Sequence, residues 1–405
     1  MAPEGWSGVQ LSQLLEKVID YRGKAPPKSE AGVRLLTARN VRMGHVSLDH
    51  AEYIDENQYV SWMNRGLPRT GDIMFTTEAP LGNVAMFPEA GTFALGQRIV
   101  TLRPKSSVSS GFLFQYLLSD VGQSKVQEKA SGSTALGIKS RELVKIGVSL
   151  PPLPEQQKIA EVLGVWDRAI ATTTALLANA RAQKRALMQT LLTGHRRFPS
   201  FEAEPWHEVR LGDVTEVIVS NIDKKSAESE RPVRLCNYTD VYKNDTIIRT
   251  MPFMEATATA GQIERFGLKV GDVIITKDSE TPDDIAVPAY VAETADDLVC
   301  GYHLAIIRPG PMADGRYLKF LFELPHTKYY FGTRANGATR FGLTIDGIKD
   351  AVFQLPSPAE QHTIANVLND AEAEISRHMK TLDRLRTEKK ALMQQLLTGQ
   401  RRVVV

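Results

Sequence analysis

The chain reads as an α/β (α+β) protein: two globular domains joined by two long helices that form an antiparallel coiled coil, with a pseudo-twofold internal repeat. Three observations predict this. One block of sequence occurs twice, apolar residues after each copy keep heptad spacing, and each copy follows short apolar strands punctuated by Gly-Asp and Pro.

The repeat is most direct at Leu150-Pro151-Pro152-Leu153-Pro154-Glu155-Gln156-Gln157-Lys158-Ile159-Ala160, which returns as Leu355-Pro356-Ser357-Pro358-Ala359-Glu360-Gln361-His362-Thr363-Ile364-Ala365. The offset of 205 still holds at Leu191-Leu192-Thr193-Gly194 and Leu396-Leu397-Thr398-Gly399. Upstream the copies match more loosely at an offset of 200: Trp6 with Trp206, Val33-Arg34-Leu35 with Val233-Arg234-Leu235, and Gly71-Asp72-Ile73 with Gly271-Asp272-Val273. Five residues then enter the second copy, and Arg98 aligns with His303 at an offset of 205. The expected organisation is residues 1–150 as a first head, 151–197 as a first spacer helix, 198–354 as a second head and 355–405 as a second spacer helix. The connectors are more alike than the heads, which keep mainly Gly, apolar and turn residues. That contrast fits a retained scaffold with changed surfaces.

In the first connector Ile159, Leu163, Trp166, Ile170, Thr173, Leu177 and Ala180 alternate steps of four and three, and the series resumes at Leu187 and Leu191. The second seam runs through Ile364, Leu368, Ala371, Ile375, His378, Leu382, Leu385, Lys389, Leu392 and Leu396. Pro154 and Pro358 suit a first helical turn, and Gly194 and Gly399 suit a left-handed stop. From Glu155 to Thr193 is about 39 residues, or about 58 Å. Two seams in one chain can satisfy each other if the second helix runs back along the first, which would leave the heads at opposite ends of a rod. Lys184 and Lys389 share a seam position, where paired acids or snorkelling would accommodate them.

In the heads, Ile73-Met74-Phe75-Thr76 and Val273-Ile274-Ile275-Thr276 read as strands fed by a Gly-Asp turn, and Ile99–Pro104 as a strand closed by proline. Phe112–Leu118 and Tyr317–Phe322 read as helices whose aromatics enter the core, and Ile146–Leu150 as a strand leading into the proline hinge. Two polar loops per head form the candidate binding surface. The first carries Thr76, Thr77 and Glu78, matched by Lys277, Asp278, Ser279 and Glu280. The second carries Ser131, Gly132, Ser133 and Thr134, matched by Asn336, Gly337, Thr339 and Arg340. Gln97, Arg98 and His303 join this set at the following strand. Glycine and small hydroxyls let a backbone approach a phosphate or a groove, and Arg340 could address guanine O6 and N7; a plain turn is the competing account.

Forty-nine Lys and Arg against 47 Asp and Glu leave a formal net charge of +2, so overall charge says little about partners. Local charge says more: Arg181, Lys184, Arg185, Arg196 and Arg197 occur with no acid between them, and the stretch from Arg377 to Arg402 is also basic. Offset of the helix dipole and a phosphate- or partner-facing patch both account for this. Two cysteines, Cys236 and Cys300, fit buried thiols in a reduced compartment, and no run approaches the ~20 apolar residues of a membrane span. The expectation is a soluble cytoplasmic protein that binds no membrane.

With these residues in place, the chain resembles the specificity subunit of Type I restriction-modification systems. The resemblance covers essentially the whole chain and rests on the doubled Leu-Pro-x-x-x-Glu-Gln-x-x-Ile-Ala block before a long helix ending in Leu-Leu-Thr-Gly, with Trp6 and Trp206, the Gly-Asp strands and the Gly-Ser-Thr or Gly-Ala-Thr loops. It implies two target recognition domains that each read half of a bipartite site on double-stranded DNA. It further implies helices that set the gap and hold modification (methyltransferase) subunits, two of them, with restriction or translocase subunits as further partners. The small net charge departs from a simple DNA binder and points to partner subunits for much of the nonspecific affinity.

The sequence contains no Asn/Asp-Pro-Pro-aromatic motif, no phosphate loop beyond an isolated Gly23-Lys24, no His-Glu-x-x-His and no paired Cys-x-x-Cys. Pro282-Asp283-Asp284 has no Glu-x-Lys on a following strand and reads as a loop. The chain alone is therefore expected to need no cofactor or metal and not to methylate, hydrolyse ATP or cut. The competing class is a coiled-coil scaffold that organises partners without reading DNA; a self-sufficient methyltransferase is disfavoured by the missing motifs.

Overall fold

The computed structural model describes residues 3–404 apart from Lys24, residues 133–135 and Lys225. The chain divides into two units, Met1–Ala175 with Met379–Val405, and Leu176–His378. Each unit holds one head and a stretch of both long helices.

In the first unit a four-stranded antiparallel sheet has the order Leu15–Asp20, Ile99–Pro104, Ile73–Thr77, Leu81–Met86. A second sheet orders Lys28–Ser29, Tyr53–Ile54, Val33–Leu36 and Phe93–Leu95. The period of two along a strand explains why these segments read as continuous apolar runs. Ile73, Phe75, Val100 and Leu102 face the helix Ser110–Leu118 and pack on Phe112 and Tyr116. Met74, Ala85 and Ile99, pointing the other way, pack on Leu35, Leu36 and Ile54 of the second sheet. With both faces covered, each such side chain contributes about 2 kcal/mol of burial.

The second unit repeats the plan. Its larger sheet runs Thr215–Val219, Leu304–Pro309, Val273–Thr276, Pro288–Val291, Thr246–Ile247, and its smaller one Met254–Ala258, Arg231–Cys236, Leu298–Cys300. Val273, Ile275, Ala305 and Ile307 pack on Tyr317 and Phe320, while Ile274, Leu304 and Ile306 pack on Leu235 and Val299.

The matched Gly-Asp turns acquire a reason. Asp72 is buried and takes Arg103 Nε and Nη2 on its two oxygens, both at 2.8 Å, together with the Arg69 backbone N–H at 2.9 Å. Asp272 does the same with Arg308 at 2.9 and 2.8 Å and with Lys269 N at 2.8 Å. A bidentate guanidinium and a backbone donor satisfy a carboxylate that burial would otherwise penalise.

The long helices span Leu153–Leu191 and Pro358–Leu397, two residues earlier than expected at the start of the first. Gly194 and Gly399, both at φ +72°, stand in the left-handed conformation just beyond them. Every predicted seam residue is buried or half-buried. Within the first unit, as the first helix advances from Glu155 to Asp167, its partners retreat from Arg402 to Lys389. Within the second, Lys184 pairs with Glu372 and Arg197 with Glu360. The pairing is antiparallel in both, and Lys184 and Lys389 are held by acids.

The Glu-Gln of the repeated block locks each head to its helix. Trp6 Nε1 donates to Glu155 at 3.2 Å and Trp206 Nε1 to Glu360 at 3.1 Å. Gln156 accepts from Ser109 N and donates to Pro151 O; Gln361 accepts from Asp314 N and donates to Pro356 O. All four side chains of these two Glu-Gln pairs are buried, which is why the block withstood the divergence around it. Among the described residues no helix is long and apolar enough to cross a membrane.

Candidate nucleic-acid interface

Each head brings its two polar loops together. In the first, Thr77 O accepts from Ile138 N at 2.9 Å, and Gly137 bridges to both Glu78 and Ser131. In the second, Lys277 O accepts from Leu343 N at 3.0 Å, Asp278–Ser279 pairs with Phe341–Gly342, and Asn336 bridges Gly342. Gly337, at φ +143°, lets the turn close: a Cβ there would stand 1.7 Å from Arg340 O.

Most of the five extra residues of the second head now have a place. Thr76 Oγ1 accepts from Asn83 N seven residues on, and Thr276 Oγ1 accepts from Val287 N eleven residues on, both at 2.9 Å. Four of the five therefore enlarge this loop. In the first head it is a short turn through Ala79 and the cis Pro80; in the second it carries the Asp278–Ser279 strand and a 3-10 turn at Pro282–Asp284.

Beside these loops each head has an open cleft, and the two clefts occupy equivalent positions. The first is lined by Thr37, Ala38, Arg39, Gln97 and Arg98, with Lys28, Glu52 and Ala79 at its edge. The second is lined by Asn237, Tyr238, Thr239, Ser279 and His303, with Lys224, Tyr242, Glu280, Asp284 and Arg340 around it. A contact to a carboxylate recurs beside each cleft in altered chemistry: Arg98 Nε lies 3.1 Å from Glu78, and His303 Nδ1 lies 3.1 Å from Asp278, which also pairs with Lys277. In the first cleft, burial pushes the Glu52 carboxyl up, but Lys28 Nζ at 2.8 Å and His50 hold it below the ordinary carboxylate value. In the second, Tyr242 Oη donates to Asp284 at 2.9 Å, and that carboxylate pushes the phenol's pKa up.

Such clefts offer donors, acceptors and cations at the ends of a fixed sheet. Residues 3–181 match the family described as the Type I restriction modification DNA specificity domain. Along 99% of its length the chain is 22% identical to the putative MjaX Type I restriction enzyme specificity subunit of Methanocaldococcus jannaschii, covering 95% of it. It is 24% identical to the MjaVIII specificity subunit of the same organism, over 99% of this chain and 94% of that one. The family match spans the first head and most of the first long helix, and along nearly its whole length the chain is similar to Type I specificity subunits. The crystal structure of the Type I S subunit from M. genitalium shares the fold, with a TM-score of 0.61 at 13% identity over 96% of each chain.

Not every candidate residue of the chain reaches its surface. Thr76 and Thr77 were expected on an exposed loop, but both are buried at the end of the central strand. Thr76 anchors the loop through its hydroxyl, so neither side chain is open to a ligand. Ser133 and Thr134 lie outside the described residues. Ser131 and Gly132 are exposed, as are Asn336, Gly337, Thr339 and Arg340; Gln97, Lys277, Ser279 and His303 are half-buried. Of the whole set, Gln97, Arg98, Ser279, His303 and Arg340 come together in the clefts.

The segments Thr37–Arg39 and Asn237–Tyr242 were missed. They follow the matched Val-Arg-Leu strands directly, so a signal was present: a repeat match that breaks off into unlike polar residues at a strand end. The Tyr238 and Tyr242 rings, one helical turn apart, resemble ordinary core spacing, yet they stack 5.5 Å apart with Tyr242 exposed.

Proposed function

We propose that this chain is the noncatalytic DNA sequence-recognition subunit of a Type I restriction-modification complex. It reads an asymmetric bipartite site on double-stranded DNA, one half per head, and directs adenine methylation and cleavage by partner subunits in the cytoplasm. The observation that carries this reading is the pair of equivalent clefts, built on the same strands and the same buried Asp-Arg pair but lined by different side chains. A frame duplicated and then re-faced suits two unlike half-sites, whereas a homodimer would meet a palindrome. Heads bounded near residues 1–150 and 198–354 supply recognition, and the helices hold two modification subunits.

A scaffold that only organises partners would leave the divergence at the clefts without a role. The test is to map methylated adenines in the source genome with and without this gene. Loss of one asymmetric, two-part motif is expected; an unchanged methylation pattern, with no sequence-selective binding by the purified complex, would overturn the assignment.

A further inference from the structure

After the strand Val33–Leu36 the first head sends out a tight hairpin, residues 40–47, whose base is the wall of its cleft. Val41 pairs with Val46, Arg42 N donates to His45 O at 2.9 Å, and Gly44 turns the tip at φ +93°. The hairpin is pinned from below. Asn40 is fully buried: its amide donates to Ser47 O at 3.1 Å and to His50 O at 2.8 Å, and its side-chain oxygen accepts from Thr37 N at 2.9 Å. Asn83 Nδ2 donates to Val41 O at 2.9 Å, and Gly44 N donates to Val84 O at 2.8 Å. The Asn83 backbone N–H is also the one held by Thr76, so a single residue joins the hairpin to the turn at Ala79 and Pro80.

The tip carries side chains that the head itself does not use. Arg42, Met43 and His45 are exposed, Met43 by 49%. Among the described residues the Arg42 guanidinium has no hydrogen bond or ion pair, and residues 33–48 contain no acid. A single exposed methionine is ordinary on a surface loop, but this one stands beside an unpaired cation on an element that buried side chains hold rigid. The repeat adds an independent observation. At the offset of 200 the second head places Tyr242 and Lys243, both exposed, at the end of the helix Tyr238–Tyr242. A hairpin in one head and a helical turn in the other thus hold unlike large side chains out at the same place beside the cleft.

A major groove about 12 Å wide admits a two-stranded ribbon, whose strands lie about 5 Å apart. Its floor offers two features that match this tip. Guanine O6 and N7 accept an arginine fork, and the thymine methyl group takes an apolar contact. We infer that residues 40–47 determine specificity in the first head by entering the major groove of its half-site, with Arg42 on a guanine edge and Met43 against a thymine methyl group. This rests on the reading of the chain as a DNA-recognition subunit, and it gives the first head a second reading element beside its cleft.

The test uses the full chain in complex with its modification subunits. A randomised duplex pool yields the selected target, and the half-site of the first head is the one that changes when residues 1–150 are exchanged for a related head. Selection is repeated with Arg42→Gln and with Met43→Ala, and binding is measured on duplexes carrying 7-deazaguanine or deoxyuridine in that half. Arg42→Gln should lower the preference for guanine at one position by about tenfold, and 7-deazaguanine there should weaken wild type but not the variant. Met43→Ala should abolish the preference for thymine over deoxyuridine at a nearby position. The other half should stay as it was, and thermal unfolding of the three chains should coincide. An unchanged motif in both variants overturns the inference while leaving recognition intact, even if the log-log salt slope of Arg42→Gln falls by the roughly 0.9 of a lost phosphate contact. A first half-site that prefers neither guanine nor thymine does the same. If the wild-type complex selects no sequence, the recognition reading itself has failed, and the inference falls with it.

Discussion

Arg402 Nε and Nη2 reach the two carboxylate oxygens of Glu155 at 2.6 and 2.8 Å, across 247 residues of chain. Arg197 and Glu360 form the same fork in the second unit, at 3.0 and 2.6 Å. In each case the carboxylate also receives a tryptophan indole, so one buried acid ties head, helix start and the segment after the other helix together. Glu155→Gln and Glu360→Gln should each lower the melting temperature by several degrees, and each should be worse than Arg402→Lys, which keeps a positive charge near the acid. Differential scanning fluorimetry of the three single variants and wild type checks the order; an indifferent Glu360→Gln would show the fork to be ornamental.

A denser set of charges lies inside the second unit. Lys319 Nζ is within 2.6 Å of Glu323 and also contacts Glu372, and Lys184 bonds both acids at 2.9 and 2.6 Å. Removing one acid strands a buried cation, so Glu372→Ala should cost about 3 kcal/mol. Urea unfolding gives the number, and a loss below 1 kcal/mol would place these charges in effective contact with water.

The same cluster sets an acid limit. Burial pushes the Glu323 carboxyl up, but Lys319 and Lys184 more than reverse this, so its pKa is held below the ordinary value. A depressed folded pKa contributes stability that is present above the unfolded value, about 4.3, and is lost as pH falls through the folded one. Thermal unfolding followed from pH 7 downward should therefore show a steep acid limb in wild type and a shallower one in Glu323→Gln. Parallel limbs would contradict the shift.

Thr276 should affect recognition without facing any ligand. Its hydroxyl accepts from Val287 N and donates to Asp284 O at 2.7 Å, holding both ends of the enlarged loop. Thr276→Val keeps the shape and removes both bonds, at a cost of about 1–3 kcal/mol for the groups left unpaired. The expected outcome is relaxed base preference in one half of the selected target, with the other half unchanged. Preferences altered in both halves would argue against independent heads, as would the same result on exchanging residues 1–150 for a related head.

Cys236 and Cys300 are register partners in neighbouring parallel strands, and burial pushes both thiols well above their ordinary range. Neither should take up iodoacetamide in the folded chain, and both should react in denaturant. Mass spectrometry reads this directly.

The sequence disclosed the elements whose cause is local or periodic. Heptad spacing from Ile159 to Leu191 needs only the helix repeat, and Gly71-Asp72 announces its turn by composition. It did not disclose what Glu155, Gln156 or Asp72 hold, because their partners lie 149, 47 and 31 residues away. Thr76 and Thr77 misled for a related reason: hydroxyls at a strand end look exposed until the strand proves to be the covered centre of its sheet. Tyr238 and Tyr242 escaped because aromatics one turn apart are usually core, and only the closing of the loop at Asp284 turns one of them outward.

Thr76 and Thr276 fix the two ends of a loop whose length differs by four residues while the strands on either side keep their pairing. A hydroxyl gate of this kind isolates the sheet from events beyond it. Between the gateposts the chain changes length by four residues without asking the core to repack; on the proposed reading, new targets could then be acquired by changing length as readily as by changing side chains. Lineages that must rewrite their recognition often would then vary most at this one turn, and the buried threonine at its root would be the residue they could least spare.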